Sequence, residues 1–188
     1  MRVFVIRHGE SETNQDKRWT GWLDVPLTEK GRADAALARE ALAKVKFDKI
    51  YASDLVRAKC TAEIALPSCT YETTPQLREI NLGSLAGMPI ASTTKEQRAL
   101  ISKEGYVAFG GESKEAFRER VVGFMKALEA KEHQTVALFA HGGWLRTALS
   151  FVVGVELPGK SICCNNCTVA VFEYEDAAWR LHSWINLD

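Results

Sequence analysis

At 188 residues, 46% of them apolar and 26% charged, the chain has the length to bury a core and the balance of a soluble globular protein. Its 24 acidic side chains equal its 24 lysines and arginines, which excludes nucleic-acid binding through an overall charge excess but leaves room for a local cationic pocket. The N-terminal apolar run is too short for a secretory leader, and the most apolar later stretch, 136–155, is broken by His141 and Arg146; no membrane span is expected, and the cytoplasm is the expected location.

In chain order, "RVFVI" reads as a buried strand running into Arg7, His8 and Gly9. Helix formers dominate 28–44, with Thr28 placed to cap the first turn. "DKIYA" is a second short strand, after which Ser53 is expected to cap a helix through "DLVRAKCTAEIAL". The stretch from Gly83 to Gly111 has little periodicity beyond a short helix near 95–103, and reads as a substrate flap rather than a second domain. A helix from about Ser113 to Lys131 carries Phe117, Val121, Phe124 and Leu128 on one face. "TVALFA" is a near-continuous apolar run, the pattern of a strand inside a parallel sheet, and another helix follows His141-Gly142-Gly143. "TVAVFEY" and "WRLHSWI" read as closing strands. This alternation predicts one α/β domain over 1–188: a three-layer sandwich with a mostly parallel central sheet and helices on both faces.

Three of these strands end alike, in Arg7-His8-Gly9, in the segment Asp54 to Arg57, and in His141-Gly142-Gly143. In an open α/β sheet, ligands bind at the carboxyl ends of the strands, where helix N-termini present free N–H groups. Two arginines and two histidines delivered to that edge make a pocket for a small dianion such as phosphate. Taken singly, each residue has an ordinary structural explanation, as a surface arginine, a core histidine or a helix cap. Taken together they would bury unpaired charge, at a cost on the order of several kcal/mol, unless a ligand neutralises it.

Arginine is not a nucleophile, whereas a neutral imidazole nitrogen can attack phosphorus. One histidine would then react and the other hold phosphoryl oxygens. The chain carries no P-loop, no HExxH and no aspartates spaced for magnesium, so transfer through a phosphohistidine without metal or other cofactor is expected. Glu79, in "QLREINLG", is placed to give the leaving alcohol its proton.

Read in order, "RHGESETN", "GWLDVPLTEKGRADA", "YASDLVRAKCTAE", "LREINLG", "GGES" and "AHGGWLR" resemble the histidine phosphatase superfamily, with its phosphoglycerate-mutase-like fold. "NNCTVAVFEY" is similar to a later strand of that family. The resemblance implies that His8 is the phosphorylated nucleophile, that Arg7, Arg57 and His141 form the phosphate pocket, and that Glu79 is the general acid and then base. It further implies that Asn14 contacts the phosphoryl group, that Thr20 and Gly21 belong to a substrate-side segment, and that Gly142 lends its backbone N–H. The implied partner is a small-molecule phosphomonoester and the implied reaction its hydrolysis; the alternatives are a cofactor-dependent phosphoglycerate mutase and, more remotely, a non-catalytic phospho-ligand-binding module. Mutases of the family that work on glycerate phosphates typically carry an insertion between the acid segment and the second histidine. Here Glu79 and His141 are only 62 positions apart, which favours the phosphatase. Leu85-Ala86-Gly87 stands where small phosphatases of the family often have an aromatic residue, glutamate and glycine. No particular substrate, such as the cobalamin-pathway ribazole phosphate, is therefore carried over.

Some features stand outside this core. The five cysteines are an odd number, and the C-x-x-C at Cys164 and Cys167 lacks a second ligand pair; they, with Cys163, read as free thiols rather than zinc ligands. Trp19 and Trp22 read as local packing more readily than as stacking platforms. Lys17 and Arg18 fit a solvated loop better than a second anion site, and the Trp-rich last strand is an edge on which a homodimer is possible.

Overall fold

The computed structural model describes residues 1–157 and 161–187. Among them the strands are β1 (Arg2–Arg7), β2 (Lys49–Ser53), β3 (Glu72–Thr74), β4 (Thr135–Ala140), β5 (Val169–Glu175) and β6 (Ala178–Ile185). The helices are α1 (Glu12–Gln15), α2 (Glu29–Leu42), α3 (Val56–Ala65), α4 (Lys95–Glu104), α5 (Lys114–Glu129) and α6 (Gly142–Val153). The strands form one sheet in the order β3-β2-β4-β1-β5-β6. β3, β2, β4 and β1 run parallel, whereas β5 pairs antiparallel with both β1 and β6.

Alternation along the central strands sorts their side chains into two cores. Val3, Val5, Val136 and Leu138 meet Phe117, Val121 and Met125 of α5 and Trp144 and Leu145 of α6. Ile6, Ala137 and Phe139 meet Ala35, Ala38 and Leu42 of α2 and Ala62 and Ala65 of α3. Both faces of β4 are covered, which is why it has no polar alternation and why Val136 to Ala140 are fully buried. The result is the expected three-layer sandwich. On α5, Met125 is fully buried, while Phe124 is only partly buried and packs edge-on against Tyr51 and Trp144.

The α2 side fixes the loop that follows β1. A Cβ on Gly9 would lie 2.2 Å from the Gly31 carbonyl oxygen, and one on Gly31 would lie 2.0 Å from that of Glu10. Only glycine at both positions lets helix and loop touch backbone to backbone. Thr28 and Ser113 cap α2 and α5 by accepting from Gly31 N and Ala116 N.

Ser53 does not cap α3. It closes β2, the N-cap position falls on Leu55, and the Val56 N–H is taken by Asp24 Oδ1 at 2.6 Å. The strand runs one residue further than the sequence pattern suggests and the helix cap falls two residues later, which frees the Ser53 hydroxyl for other work.

The segment 83–111 consists of α4 and single 3₁₀ turns at Gly83–Leu85, Ile90–Ser92 and Val107–Phe109. α4 buries none of its residues. Arg98 ties it down by donating to the carbonyls of Thr93 and Ile90. Among the described residues no helix is long and apolar enough to cross a membrane.

Candidate active site

Because β2, β4 and β1 are adjacent and parallel, their carboxyl ends line up as Ser53, His141 and Arg7-His8. The ladder extends one step past β1, with His8 N–H donating to Ala140 O at 3.0 Å. On the other side of β1 the sheet reverses direction, so the loop leading into β5 also reaches this edge. The connection from β1 leaves towards β2 on one side of the β4–β1 pair and the connection from β4 towards β5 on the other, and such a switch point is where a crevice forms in an α/β sheet.

His8 is buried, and its Nδ1 lies 2.7 Å from the carbonyl oxygen of Gly9. A carbonyl can only accept, so Nδ1 carries the proton and Nε2 keeps its lone pair. Arg57 Nε–H donates to that Nε2 at 3.3 Å. Burial, then Arg57 and Arg7, hold the imidazole well below its usual range, so it is neutral near pH 7.

His141, fully buried, has the opposite arrangement. Its Nε2 lies 2.9 Å from Ser53 Oγ, while its Nδ1 has no partner among the described residues. Ser53 Oγ also receives the Leu55 N–H, at 3.4 Å, so Nε2 is the acceptor left for the hydroxyl proton. Nδ1 is then an N–H, a buried donor awaiting an oxygen. Burial, and after it Arg57, His8 and Arg7, keeps this ring neutral too. The two rings are 5.1 Å apart, one offering a lone pair and the other a proton.

The arginines add charge that nearby carboxylates, Glu79 for both and Asp24 for Arg57, offset only in part. Arg57 is fully buried and donates to the carbonyls of Leu23 (2.7 Å) and Gly21 (2.8 Å). Burial pulls it down to about 10, which still leaves it cationic at neutral pH. Arg7 donates to the Cys164 carbonyl through Nη1, and its buried Nε has no partner among the described residues. Burial lowers its affinity for the proton as well. Buried donors are ordinarily satisfied, so two orphaned ones in a doubly cationic pocket point to an anion with several oxygens. Gly142, the first residue of α6, adds a helix N-terminus to the same place.

Glu79 reaches this pocket from the segment after β3. Its Oε2 accepts from Gly143 N at 2.9 Å and its Oε1 from Ile80 N at 3.0 Å. Its backbone carbonyl is held by Trp22 Nε1 at 2.7 Å and by Arg120 Nη2 at 3.1 Å. Arg120 also donates to the carbonyls of Gln76 and Arg78 and forms a two-point pair with Glu112, whose Oε2 accepts from Asn81 N. A carboxyl group facing a neutral imidazole across a cationic pocket is the equipment of phosphoryl transfer with proton donation.

The sequence profile of the histidine phosphatase superfamily (branch 1) matches residues 3–187. The chain belongs to the histidine phosphatase superfamily. It is 31% identical to a Salmonella choleraesuis protein named "Probable phosphoglycerate mutase GpmB", over 98% of this chain and 90% of that one. Among solved structures, a phosphoglycerate mutase from Thermus thermophilus is 30% identical and superposes with a TM-score of 0.77, each chain covered in full. A mycobacterial glucosyl-3-phosphoglycerate phosphatase, solved with VO3, is 28% identical with a TM-score of 0.85, covering 97% of this chain and 98% of the other. Proteins of both names thus match a chain of this length, and length alone does not separate phosphatase from mutase.

Within this member of the superfamily, the remaining expected site residues divide. Asn14 Oδ1 accepts from Ser11 N and from Asn166 Nδ2, each at 3.3 Å. Thr20 is tied to Thr13 through their hydroxyls at 2.7 Å, and Gly21 serves the pocket through its carbonyl on Arg57. Trp19 donates to Thr93 and packs edge-on to Tyr106, and Trp22 stacks under Arg78 besides holding Glu79. Arg18 is occupied with the Gly87 carbonyl.

Several contributors carry no clear signal in the sequence. Asn166 donates to the His8 carbonyl at 3.1 Å, and Cys164 gives its carbonyl to Arg7. "CCNNC" is therefore a backbone buttress of the site, with Cys167 fully buried and its thiol pushed up to about 12 by burial. Ser53, Arg120 and Glu112 are the others; the "GGES" motif contains Glu112 but does not disclose its purpose. Among the described residues no group of three His, Cys, Asp or Glu side chains could hold a metal ion.

Proposed function

We propose that the protein is a metal-independent phosphomonoesterase that works through a phosphohistidine on His8. The observation that carries this reading is the Nδ1–H bond from His8 to the Gly9 carbonyl, which leaves Nε2 as a lone pair inside a pocket of two arginines. Arg7, Arg57, the His141 Nδ1–H and the Gly142 N–H bind the phosphoryl oxygens, with Asn14 nearby. His8 Nε2 attacks phosphorus, the P–O bond to the alcohol breaks, and Glu79 gives that oxygen a proton. Water then attacks the phosphohistidine, Glu79 takes its proton, and inorganic phosphate leaves. Fixed donors stabilise charge on the equatorial oxygens in both transfers, so catalysis is positioning and electrostatics. The segment 83–111 serves as the flap over this site.

The test is a phosphomonoester panel run with EDTA, together with acid-quench trapping of labelled enzyme. Turnover that survives EDTA, with label lost in His8→Ala, is the expected result. Absence of both turnover and label would leave only a phospho-ligand-binding module. The mutase reading is favoured by two of the named relatives, and one measurement separates it: whether the trapped phosphohistidine passes its phosphoryl group to a glycerate phosphate faster than to water.

A further inference from the structure

Glu79 stands on a stretch that no regular structure holds. From Arg78 to Leu82, between the 3₁₀ turns Pro75–Leu77 and Gly83–Leu85, the chain is neither helix nor strand. A proton donor misplaced by about 1 Å nevertheless costs on the order of a hundredfold in rate. One guanidinium supplies the missing order. Arg120 Nη1 donates to the carbonyls of Gln76 at 3.0 Å and Arg78 at 2.9 Å. Its Nη2 donates to the Glu79 carbonyl at 3.1 Å and to Glu112 Oε2 at 2.9 Å, and its Nε to Glu112 Oε1 at 3.1 Å. Every N–H of the fork is therefore in use. The mount is rigid, because α5 buries Phe117 and Val121 in the core and the guanidinium lies over the Phe117 ring at 5.0 Å.

The same pair locks the two ends of the segment 83–111 together. Glu112 holds Asn81 twice, accepting its N–H at 2.7 Å through Oε2 and donating its own N–H to the Asn81 carbonyl at 2.9 Å. The entering and leaving chains touch backbone to backbone: a Cβ on Gly83 would overlap the Phe109 carbonyl, and one on Gly111 that of Asn81. Glu79 lies two residues before this joint. The bonds also continue into the carboxylate itself. Arg120 donates to the Glu79 carbonyl, and across that peptide the Ile80 N–H donates to Glu79 Oε1 at 3.0 Å. Donation to one end of a peptide strengthens donation from the other.

We infer that Arg120, partnered by Glu112, is a positioning residue for the proton transfer: it fixes the Glu79 peptide against α5 and ties it to the neck of the 83–111 segment. The inference rests on the phosphomonoesterase reading for what Glu79 does. Two measurements on the intact protein test it. The first is kcat/KM over a series of esters from 4-nitrophenyl phosphate to a simple alkyl phosphate, whose leaving groups need the proton increasingly. In Arg120→Gln the gap between the ends of the series should widen by roughly tenfold to a hundredfold. Arg120→Lys keeps the charge without the fork, and should fall between that variant and wild type. The second needs no turnover: the Ile80 and Gly143 amides, which hold the carboxylate, should shift in ¹⁵N–¹H spectra of Arg120→Gln and exchange about tenfold faster. Should Arg120→Gln fail to fold, Glu112→Gln, which keeps the shape and loses the charge of the pair, carries both comparisons. Equal losses along the whole series, or Ile80 and Gly143 amides unmoved in a folded variant, would overturn the inference. Amides that respond in a protein whose wild type hydrolyses no ester would sink the hydrolase reading and leave Arg120 as the residue that places the carboxylate.

Discussion

Replacing Gly143 by alanine separates the placement of Glu79 from the stability of the fold. The new Cβ would stand 2.1 Å from Glu79 Oε1 and 2.9 Å from its carboxyl carbon. To reach an ordinary contact of 3.4 Å, that oxygen must retreat by about 1.3 Å, and the Gly143 N–H bond to Oε2 is strained or lost with it. The displaced group is the end of a flexible side chain, so the fold gives way cheaply. One hydrogen bond at ~1 kcal/mol is partly offset by the better helix propensity of alanine, and stability should change by no more than about 1 kcal/mol. A proton donor misplaced by about 1 Å, in contrast, costs on the order of a hundredfold in rate. The assay is kcat/KM, which reports the transfer to His8, for an alkyl phosphate and for 2,4-dinitrophenyl phosphate. Only the first leaving group needs a proton, so its kcat/KM should drop by about a hundredfold and the second by far less. Equal losses on the two esters would show that Gly143 serves the phosphate pocket as a whole. An unchanged alkyl ester would remove Glu79 from the role of acid.

Three further outcomes are expected. Ser53→Ala should release the His141 tautomer, visible as a shift of protonation from Nδ1 towards Nε2 in ¹⁵N spectra, with roughly a tenfold loss of kcat that Ser53→Thr recovers in part; an unmoved tautomer would refute the assignment. Asn166→Ala should cost ~1 kcal/mol in urea unfolding and weaken inorganic phosphate binding, because the His8 carbonyl and Asn14 both lose a donor. The two buried histidines should also make stability pH-dependent. Their folded-state proton affinity lies below the unfolded value near 6.5, so the unfolded chain protonates first. The contribution is whole above pH 6.5 and declines as pH falls below it, by up to about 1.4 kcal/mol per pH unit for each ring. Denaturant unfolding at pH 7.5 and 5.5 should show that slope and its flattening in a His8→Asn, His141→Asn double variant.

The sequence makes some of this structure easy to see and conceals the rest for physical reasons. β1 and β4 announce themselves because strands covered on both faces have no polar residues to break the run, and α2 and α5 because their caps and apolar stripes are local. β3 is three partly or fully exposed residues with no apolar pattern, and exists only through its pairing with β2. The antiparallel sense of β5 follows from where it packs, not from its own residues. At the site, Arg7, His8, Arg57 and His141 are readable because glycines and charges end their strands. Ser53 looks like a helix cap because serine directly before a helix-forming run ordinarily is one; its bond to His141 spans 88 positions. Asn166 and Arg120 are invisible for the same reason, since each acts on backbone carbonyls far away in sequence, which leave no trace in residue type.

The reversal of the sheet beside β1 has a consequence in time as well as in space. The acceptor for the Arg7 guanidinium and a donor to the His8 carbonyl both come from residues 157 and 158 positions further along the chain. While the protein is being synthesised, His8, Arg57, Glu79 and His141 have all emerged before Cys164 and Asn166 exist. The reactive groups are present early, but the buttress that orders them arrives only with the approach to β5. Closing the sheet and switching on the chemistry are thus one event, and a chain halted at residue 160 would carry every reactive side chain proposed here without this support.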